Sequence, residues 1–370
     1  MTTSIIGAKG VHGGDIISMA RQLGCGGGEL IDLSSNLTPL GMPPGLREAL
    51  IARLSEISFL PECDSETLIS LFAGKYGCKP QQVLAGNGTT EFIYAVPASV
   101  QCRRALIVAP TYADYQTASE WAGLTVDFFT LQAEDDFALD FNRLAARLTG
   151  GELVFLCNPN NPTGRVVSSR ELMAFILAHP ASEFLIDESY LPFVDEPSLA
   201  GFPLPANLFL LCSSSKIYGI PGLRLGFLVA NEEKMARFAA RRKPWGVNRL
   251  AQVAGEYLLA HGDGYVQAVR DFIGETRPGF VAWFAALPGV QVVPGAANFI
   301  LCRLTGSMTA AKLREDMLSQ RIMIRDCSNF TGLDGQYFRV SLQESGRNER
   351  SMAALSEVLG DHKNNLRVIK

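Results

Sequence analysis

Short apolar runs alternate with helical patterns over the first two thirds of the chain. The runs cover residues 105–109, 153–157, 184–186, 208–212 and 225–229. Fully apolar strands separated by helices are typical of a mostly parallel sheet whose two faces are both covered. The pattern therefore predicts an α/β fold, in which ligands bind at the carboxyl ends of the strands.

A different pattern begins after about residue 260. A long helical stretch, residues 265 to about 286, leads into apolar runs at residues 290–293, 298–304 and 337–342, and a helical pattern separates the last two. This order predicts a smaller α+β domain that the N-terminal segment completes. We predict a large domain of residues 41–260 and a small domain of residues 1–40 and 261–370.

Composition and charge narrow the class of protein. Of the 370 residues, 47% are hydrophobic and 19% are charged, which is typical of a globular enzyme. The formal net charge of −4 gives no reason to expect nucleic acid or an anionic membrane as a partner. The chain shows no signal-peptide pattern at its N-terminus and no apolar run long enough to span a bilayer. We therefore expect a cytoplasmic protein.

Cysteine and histidine spacing bears on metals and on the redox compartment. The eight cysteines contain no Cys-x-x-Cys motif, and Cys157 and Cys212 end apolar runs, which predicts buried thiols in a reducing compartment. The four histidines are far apart and lack metal-ligand spacing. We expect no metal site.

Lys216 follows the apolar run 208–212 and three serines, and Arg224 comes after a segment rich in glycine and proline. Lysine is the side chain that condenses with a carbonyl cofactor, and neighbouring small hydroxyls suit a phosphate. A surface lysine after a strand would give the same local sequence. The polar clusters that follow other predicted strands favour the cofactor interpretation over the surface lysine.

Two of these clusters combine glycine or proline with hydrogen-bonding side chains. Gly86-Asn-Gly-Thr-Thr-Glu91 precedes a helical run, where backbone amides and hydroxyls favour an anion, although a plain helix cap fits too. Asn158-Pro-Asn-Asn161-Pro-Thr-Gly164 follows the run 153–157. Its prolines fix the backbone and so hold an asparagine amide at the sheet edge. The alternative is a rigid turn.

Two further clusters carry a carboxylate or an aromatic ring. Asp187-Glu188-Ser-Tyr190 follows the run 184–186, where a partly buried carboxylate needs a cationic partner such as a protonated pyridine nitrogen. Tyr112 directly follows the run 105–109, so that its ring is able to cover a planar cofactor. A capping aspartate and an ordinary packed tyrosine are the simpler interpretations.

Taken together and in this order, the motifs resemble fold-type I pyridoxal-phosphate enzymes of the class I/II aminotransferase superfamily. The resemblance covers nearly the whole chain. It implies a large domain with a mostly parallel seven-stranded sheet, a smaller α+β domain and pyridoxal 5'-phosphate as the cofactor. Lys216, Asp187 and Tyr112 would be catalytic: Lys216 would bond the cofactor, Asp187 would pair with its ring nitrogen, and Tyr112 would stack on the ring.

The resemblance also implies the rest of the binding site. Asn161 and Tyr190 would contact the ring oxygen, and Arg339, in Phe338-Arg-Val-Ser341, would receive a substrate carboxylate. An arginine within a strand otherwise indicates an edge salt bridge. The cofactor phosphate would be held by Gly88, Thr89, Thr90, Ser213, Ser215 and Arg224.

Further segments are similar to one branch of the superfamily, the threonine-phosphate decarboxylases of cobalamin biosynthesis, which are close to histidinol-phosphate aminotransferases. They include His12-Gly-Gly-Asp15, the segment 32–41, Pro244-Trp-Gly-Val-Asn248 and Ile324-Arg-Asp-Cys-Ser-Asn-Phe330. Both enzymes bind a phosphorylated amine, so the resemblance implies a second anion site. Its candidate residues are His12, Tyr218 and Arg325, with Asn36 near the substrate carboxylate; ordinary polar contacts are the alternative for His12 and Arg325.

The branch implies decarboxylation of L-threonine O-3-phosphate to (R)-1-aminopropan-2-yl phosphate by a homodimer. The alternatives are an aminotransferase of the histidinol-phosphate type, a serine-phosphate decarboxylase and a non-catalytic protein that keeps the cofactor pocket. One segment departs from the pattern. Relatives usually carry Tyr-Pro-Asp where this chain has Leu60-Pro-Glu62. Leucine donates no hydrogen bond, so the contact of that tyrosine with the neighbouring subunit's cofactor phosphate is lost or replaced.

Overall fold

The computed structural model describes residues 13–240 and 243–360. The strands are β1 (Ile31–Asp32), β2 (Val83–Asn87), β3 (Arg104–Ala109), β4 (Thr125–Thr130), β5 (Glu152–Cys157), β6 (Glu183–Asp187), β7 (Leu208–Ser213), β8 (Leu225–Ala230), β9 (Val290–Val292), β10 (Phe299–Leu304), β11 (Ile322–Met323), β12 (Arg325–Asp326) and β13 (Tyr337–Ser341). The helices are α1 (Ile16–Leu23), α2 (Leu46–Ala52), α3 (Glu66–Tyr76), α4 (Thr89–Ser99), α5 (Asp114–Trp121), α6 (Phe141–Ala145), α7 (Ser169–Ala178), α8 (Glu232–Ala239), α9 (Arg249–His261), α10 (Asp263–Ala285), α11 (Ala310–Ser319) and α12 (Ser345–Val358). None of these described helices combines the length and apolarity that crossing a membrane requires.

A seven-stranded sheet forms the centre of the large domain, in the order β2-β8-β7-β6-β5-β3-β4. Strand β8 runs antiparallel to its neighbours β2 and β7, and the other neighbouring strands are parallel. The prediction of a mostly parallel sheet is therefore confirmed. Each of the five predicted apolar runs became a strand, extended by up to one residue at either end.

Strands β2 and β4 of this sheet were not predicted, and in each case the sequence lacks a continuous apolar run for a physical reason. Strand β4 lies at the sheet edge, where most of its side chains are partly exposed and no continuous apolar run is needed. Strand β2 ends in Gly86 and Asn87, which belong to the polar motif that precedes α4. Both strands therefore lack the apolar signature of the central ones.

The core of the large domain consists of two layers, one on each face of the sheet. Successive side chains of a strand point to opposite faces. Leu106 and Val154 accordingly belong to one buried cluster, and Ile107 and Phe155 belong to the other. Burial on both faces explains why the central strands are continuously apolar, and it leaves polar side chains only at the strand ends.

The C-terminal region forms a second sheet with its own core. Strands β12-β13-β10-β9 are antiparallel neighbours, and β1 from the N-terminal segment pairs in parallel with β11. Trp283 and Phe284 of α10 pack with Phe338 of β13, and Ile31 and Leu33 from the N-terminal segment join the same cluster. These contacts agree with a small domain built from both ends of the chain. The boundaries 40/41 and 260/261 stay a prediction.

Candidate active site

The predicted side chains meet at the carboxyl edge of the large sheet. A cavity of about 240 Å³ lies there, between the ends of β3, β5, β6 and β7 and the start of α4. The predicted residues that line it are Thr89, Thr90, Tyr112, Asn161, Asp187, Tyr190, Ser213, Ser215, Lys216 and Arg224. Parallel strands present their carboxyl ends at one edge, so motifs far apart in sequence converge.

Lys216 lies in the turn that follows β7. Its Nζ donates a hydrogen bond to the carbonyl oxygen of Ser35 over 3.0 Å. Burial lowers the pKa of this amine to about 8, and the positive charges of Arg339 and Arg224 act in the same direction, while Asp32 opposes them. A larger fraction of this amine than of an ordinary lysine is therefore unprotonated and nucleophilic near neutral pH.

Asp187 ends β6 and is buried. Its Oδ2 accepts a hydrogen bond from the hydroxyl of Tyr115 over 2.8 Å, and its Oδ1 accepts one from the backbone N–H of Ser189 over 2.9 Å. Burial raises its pKa, which the two hydrogen bonds oppose. No described residue forms an ion pair with it. Because a buried carboxylate is costly without a cation, this site suits a ligand that carries a protonated ring nitrogen.

A cradle for a tetrahedral anion lies at the start of α4. No side chain within the described residues caps this helix, so the N–H groups of its first turn suit an anion. Arg224 donates from Nη2 to the hydroxyl of Thr90 over 3.4 Å. A Cβ at Gly88, whose φ is +75°, would collide with the guanidinium of Arg224. A Cβ at Gly226 of β8 would lie 2.6 Å from the backbone nitrogen of Thr89.

These close approaches explain why glycine occupies both positions. They let the loop, the helix end and the arginine come together around one point. Ser213 and Ser215 line the same cavity and supply hydroxyls to it. The fit to a phosphate thus rests on the cradle geometry as well as on the motif.

A second, inner cavity of about 100 Å³ shares Tyr112, Asn161, Tyr190 and Lys216 with the first. Arg339 also lines it. Asn36 donates from Nδ2 to the hydroxyl of Tyr190 over 3.3 Å, and burial raises the pKa of this tyrosine to about 12. The amide oxygen of Asn36 has no hydrogen-bond partner within the described residues. The shared wall places the lysine where both cavities meet.

Two buried arginines face this inner cavity. Arg339 of β13 donates to the side-chain oxygen of Asn161 and, over 2.6 Å, to the carbonyl oxygen of Ser34. Arg325 lies directly opposite Arg339 in the pairing of β12 with β13. It donates to Asn329 over 2.7 Å. Burial lowers the pKa of Arg325, and the charge of Arg339 contributes.

Two buried guanidiniums on facing strand positions repel each other, so the cavity favours anionic ligands. The Nε of Arg339 is buried without a hydrogen-bond partner in the part of the chain that the structure describes. A ligand with two separated anionic groups would match this pair, with one group for each arginine.

Not every predicted residue reaches these cavities. The ring of Tyr218 lies 6.1 Å from that of Tyr265 and lines a separate cavity of about 500 Å³ together with Asp263. The structure therefore does not bring Tyr218 to the two arginines. His12 lies outside the described residues. Leu60 is 74% exposed and lies outside both cavities.

Sequence reasoning missed Tyr115. It is fully buried, lines the first cavity and bonds Asp187 directly. A signal was present, because Tyr115 follows Tyr112 by three residues at the start of α5, a spacing that places side chains on one face of a helical turn. The two rings lie 5.7 Å apart, nearly perpendicular to each other. Their packing makes one wall of the site.

The comparisons agree with this geometry. The family described as aminotransferase class I and II matches residues 28–357. A threonine-phosphate decarboxylase of Salmonella typhimurium is 37% identical over 94% of this chain and 96% of that protein. A histidinol-phosphate aminotransferase of Anaeromyxobacter is 31% identical over 95% of this chain and 96% of that protein. The crystal structure of L-threonine-O-3-phosphate decarboxylase from Porphyromonas gingivalis matches with a TM-score of 0.81 and 33% identity, over 90% of this chain and 100% of that one. The chain therefore belongs to the aminotransferase class I and II family of pyridoxal-phosphate-dependent enzymes.

Proposed function

We propose that this enzyme decarboxylates L-threonine O-3-phosphate to (R)-1-aminopropan-2-yl phosphate in cobalamin biosynthesis. The observation that carries the proposal is the pair of buried arginines, Arg325 and Arg339, which share one cavity with Lys216. The substrate carries a carboxylate and a phosphate in one molecule, so each anion matches one guanidinium. The similarity to decarboxylases of this specificity supports the same reaction.

The residues of the first cavity fit the cofactor. Asp187 would pair with the ring nitrogen, Asn161 and Tyr190 would bond the ring oxygen, and Tyr112 would cover the ring. The phosphate would be held by Gly88, Thr89, Thr90, Ser213, Ser215 and Arg224. When bound, the cofactor supplies an electron sink for the bond that breaks at the amino-acid α-carbon.

The chain's own residues then decide which bond breaks. A carboxylate held perpendicular to the cofactor ring is the group that leaves, so the placing of the two anions by Arg325 and Arg339 sets the reaction. Lys216, with a pKa of about 8, is able to return a proton to the α-carbon after carbon dioxide leaves. Asn36 lines neither cavity, but its amide oxygen is unpartnered within the described residues, and we propose that it accepts a hydrogen bond from the substrate.

The test is carbon dioxide release from the cofactor-loaded enzyme given L-threonine O-3-phosphate, with no 2-oxo acid present. We expect stoichiometric release together with an aminopropanol phosphate product. Serine phosphate in the same assay measures the preference for the threonine methyl group. No release, combined with amino transfer from histidinol phosphate to 2-oxoglutarate, would replace the decarboxylase proposal by the aminotransferase alternative.

The aminotransferase alternative rests on the histidinol-phosphate aminotransferase similarity. Histidinol phosphate carries a phosphate and no carboxylate, so it would occupy one arginine of the pair. An aminotransferase would therefore need the second arginine only for its 2-oxo acid. 2-Oxoglutarate is a dicarboxylate and would also occupy both arginines, so the pair alone does not separate the two reactions. We favour the decarboxylase because the identity to the threonine-phosphate decarboxylase, 37%, is higher than the 31% to the aminotransferase.

The lowered pKa of Lys216 predicts how apoenzyme captures its cofactor. The unprotonated amine attacks the cofactor aldehyde, so we expect the capture rate to rise with pH and to reach half its maximum near pH 8. An ordinary lysine would give a midpoint near 10.5. Stopped-flow absorbance after mixing apoenzyme with pyridoxal phosphate at a series of pH values measures it. A midpoint that stays near 10.5 would contradict the structure-based assignment.

Tyr115 gives a prediction about cofactor electronics. Tyr115→Phe removes the hydroxyl that bonds Asp187 and leaves the ring packing intact. Since a hydrogen bond to a charged group contributes about 1.5–3 kcal/mol, we expect activity to fall by about 10- to 100-fold. The absorbance of the bound cofactor should also shift, because its ring nitrogen is held less firmly in the protonated form. Tyr94→Phe, outside the cavity, is the matched control; an unchanged spectrum in Tyr115→Phe would contradict this role.

The proposal includes a cytoplasmic homodimer. An exposed apolar surface, formed by α2 and the segment after it, supports the homodimer. Its large side chains are Ile51, Leu54, Ile57, Phe59 and Leu60. Contiguous exposed apolar side chains of this size are typical of a protein–protein interface. Sedimentation of the wild type and of a variant with Ile57→Asp and Phe59→Asp tests it: we expect a dimer and a monomer, respectively.

A further inference from the structure

A large cleft leads to the inner cavity from the small domain. It has a volume of about 1070 Å³ and shares Gly13, Ser34 and Arg325 with the cavity that contains Lys216. Pockets of roughly 300–1,000 Å³ accommodate drug-sized ligands, so a phosphorylated amino acid would fill only a small part of the cleft. Its size and position indicate a route of approach to the inner cavity.

Three arginines line the cleft. Arg325 is at its inner end, and the exposed Arg21 of α1 and Arg314 of α11 also line it. Neither Arg21 nor Arg314 forms an ion pair within residues 13–240 and 243–360. The charge of Arg314 contributes to lowering the pKa of Arg325.

The acidic groups of the cleft have partners of their own. Asp15 caps α1 by accepting from the backbone N–H of Ser18 over 3.2 Å. Glu315 lies 3.7 Å from the ammonium of Lys312. Arg21 is in the last turn of α1, where the helix dipole favours a cation for structural reasons. Arg314 lies in the interior of α11 and has no such structural explanation.

We infer that Arg314, assisted by Arg21, forms an outer anion site that captures the phosphate of an incoming substrate before Arg325 and Arg339 bind it. This inference rests on the proposed function in one respect, namely that the substrate is a phosphorylated amino acid. A row of cations along a cleft raises the local concentration of anions and the rate of their association. The site therefore selects phosphorylated over unphosphorylated amino acids at the mouth of the cleft.

The experiment measures substrate binding to cofactor-loaded enzyme through the cofactor absorbance. In stopped-flow mixing, we expect Arg314→Gln to slow the association of L-threonine O-3-phosphate by about threefold or more at low ionic strength. Arg21→Gln should have a smaller effect in the same direction. The difference should disappear near 1 M salt, where the Debye length is only about 3 Å. L-threonine, which lacks the phosphate, should bind the variants and the wild type equally.

Two variants serve as controls. Arg314→Lys keeps the charge and should retain the salt dependence of the wild type. Arg170→Gln removes an exposed arginine on α7, which does not line this cleft, and should change nothing. An Arg314→Gln enzyme that matches Arg170→Gln at every ionic strength would overturn the inference. Carbon dioxide release, measured in parallel, separates the two ideas. If Arg314→Gln associates more slowly with the phosphorylated substrate but the wild type releases no carbon dioxide, the proposed reaction is rejected and the outer site is retained.

Discussion

Lys216→Ala is expected to abolish carbon dioxide release, with a loss of at least about 10³-fold, because the variant lacks both the covalent attachment and the proton donor. The pH-sensitive absorbance of the lysine-bound cofactor should disappear as well. The stability of the cofactor-free protein should not fall, since Nζ makes only one hydrogen bond among the described contacts, to the carbonyl of Ser35. The measurements are carbon dioxide release and the cofactor spectrum of the loaded variant, and thermal unfolding of the cofactor-free variant and wild type.

The matched control is Lys79→Ala. Lys79 is exposed and pairs with Glu232, far in sequence from the site, so its loss should leave activity and spectrum unchanged. Lys216→Ala that kept a tenth of the activity would show that another group carries out the proton transfer. Loss of activity with an unchanged lysine-type spectrum would place the cofactor bond on a different lysine.

Asp187→Asn is expected to reduce carbon dioxide release by about 10²- to 4 × 10³-fold. Breaking a buried charge pair by neutralising one partner costs about 3–5 kcal/mol, and each 1.4 kcal/mol corresponds to a factor of ten. The asparagine oxygen still accepts from the N–H of Ser189, so the local backbone is preserved. The variant should bind the cofactor more weakly, and the ring nitrogen of the bound cofactor should lose its proton at neutral pH. Equilibrium dialysis and the cofactor spectrum measure these two effects.

Glu188→Gln provides the comparison, because Glu188 is also buried and is the next residue in the chain. It accepts hydrogen bonds from the Ser198 hydroxyl and the Leu199 N–H, and burial raises its pKa to about 8. A carboxyl that is largely protonated at neutral pH loses little by conversion to an amide, so we expect activity within a few-fold of the wild type. Equal losses in both variants would mean that Asp187 acts through the loop structure and not through the cofactor.

The sequence by itself determined the fold class, the family and the local motifs. Buried parallel strands must be apolar on both faces, so their positions are visible as apolar runs, and the polar residues that end them mark the ligand edge. Glycines at positions 88 and 226 and the lysine after β7 are likewise local features. Strands β2 and β4 were not predicted, because the polar end of β2 and the edge position of β4 remove the apolar signature of a central strand.

Only the tertiary structure decided which distant groups touch. The hydrogen bond from Tyr115 to Asp187 joins residues 72 positions apart, and the one from Arg339 to Asn161 joins residues 178 positions apart. Arg325 faces Arg339 because β12 and β13 pair in one particular register, which a strand of two residues does not encode in its own pattern. Tyr218 follows Lys216 by only two residues and yet lines a different cavity. Apolar patterning specifies which side of an element is buried, whereas the partner of a polar side chain depends on how separate elements pack, and that is settled only when the whole chain has folded.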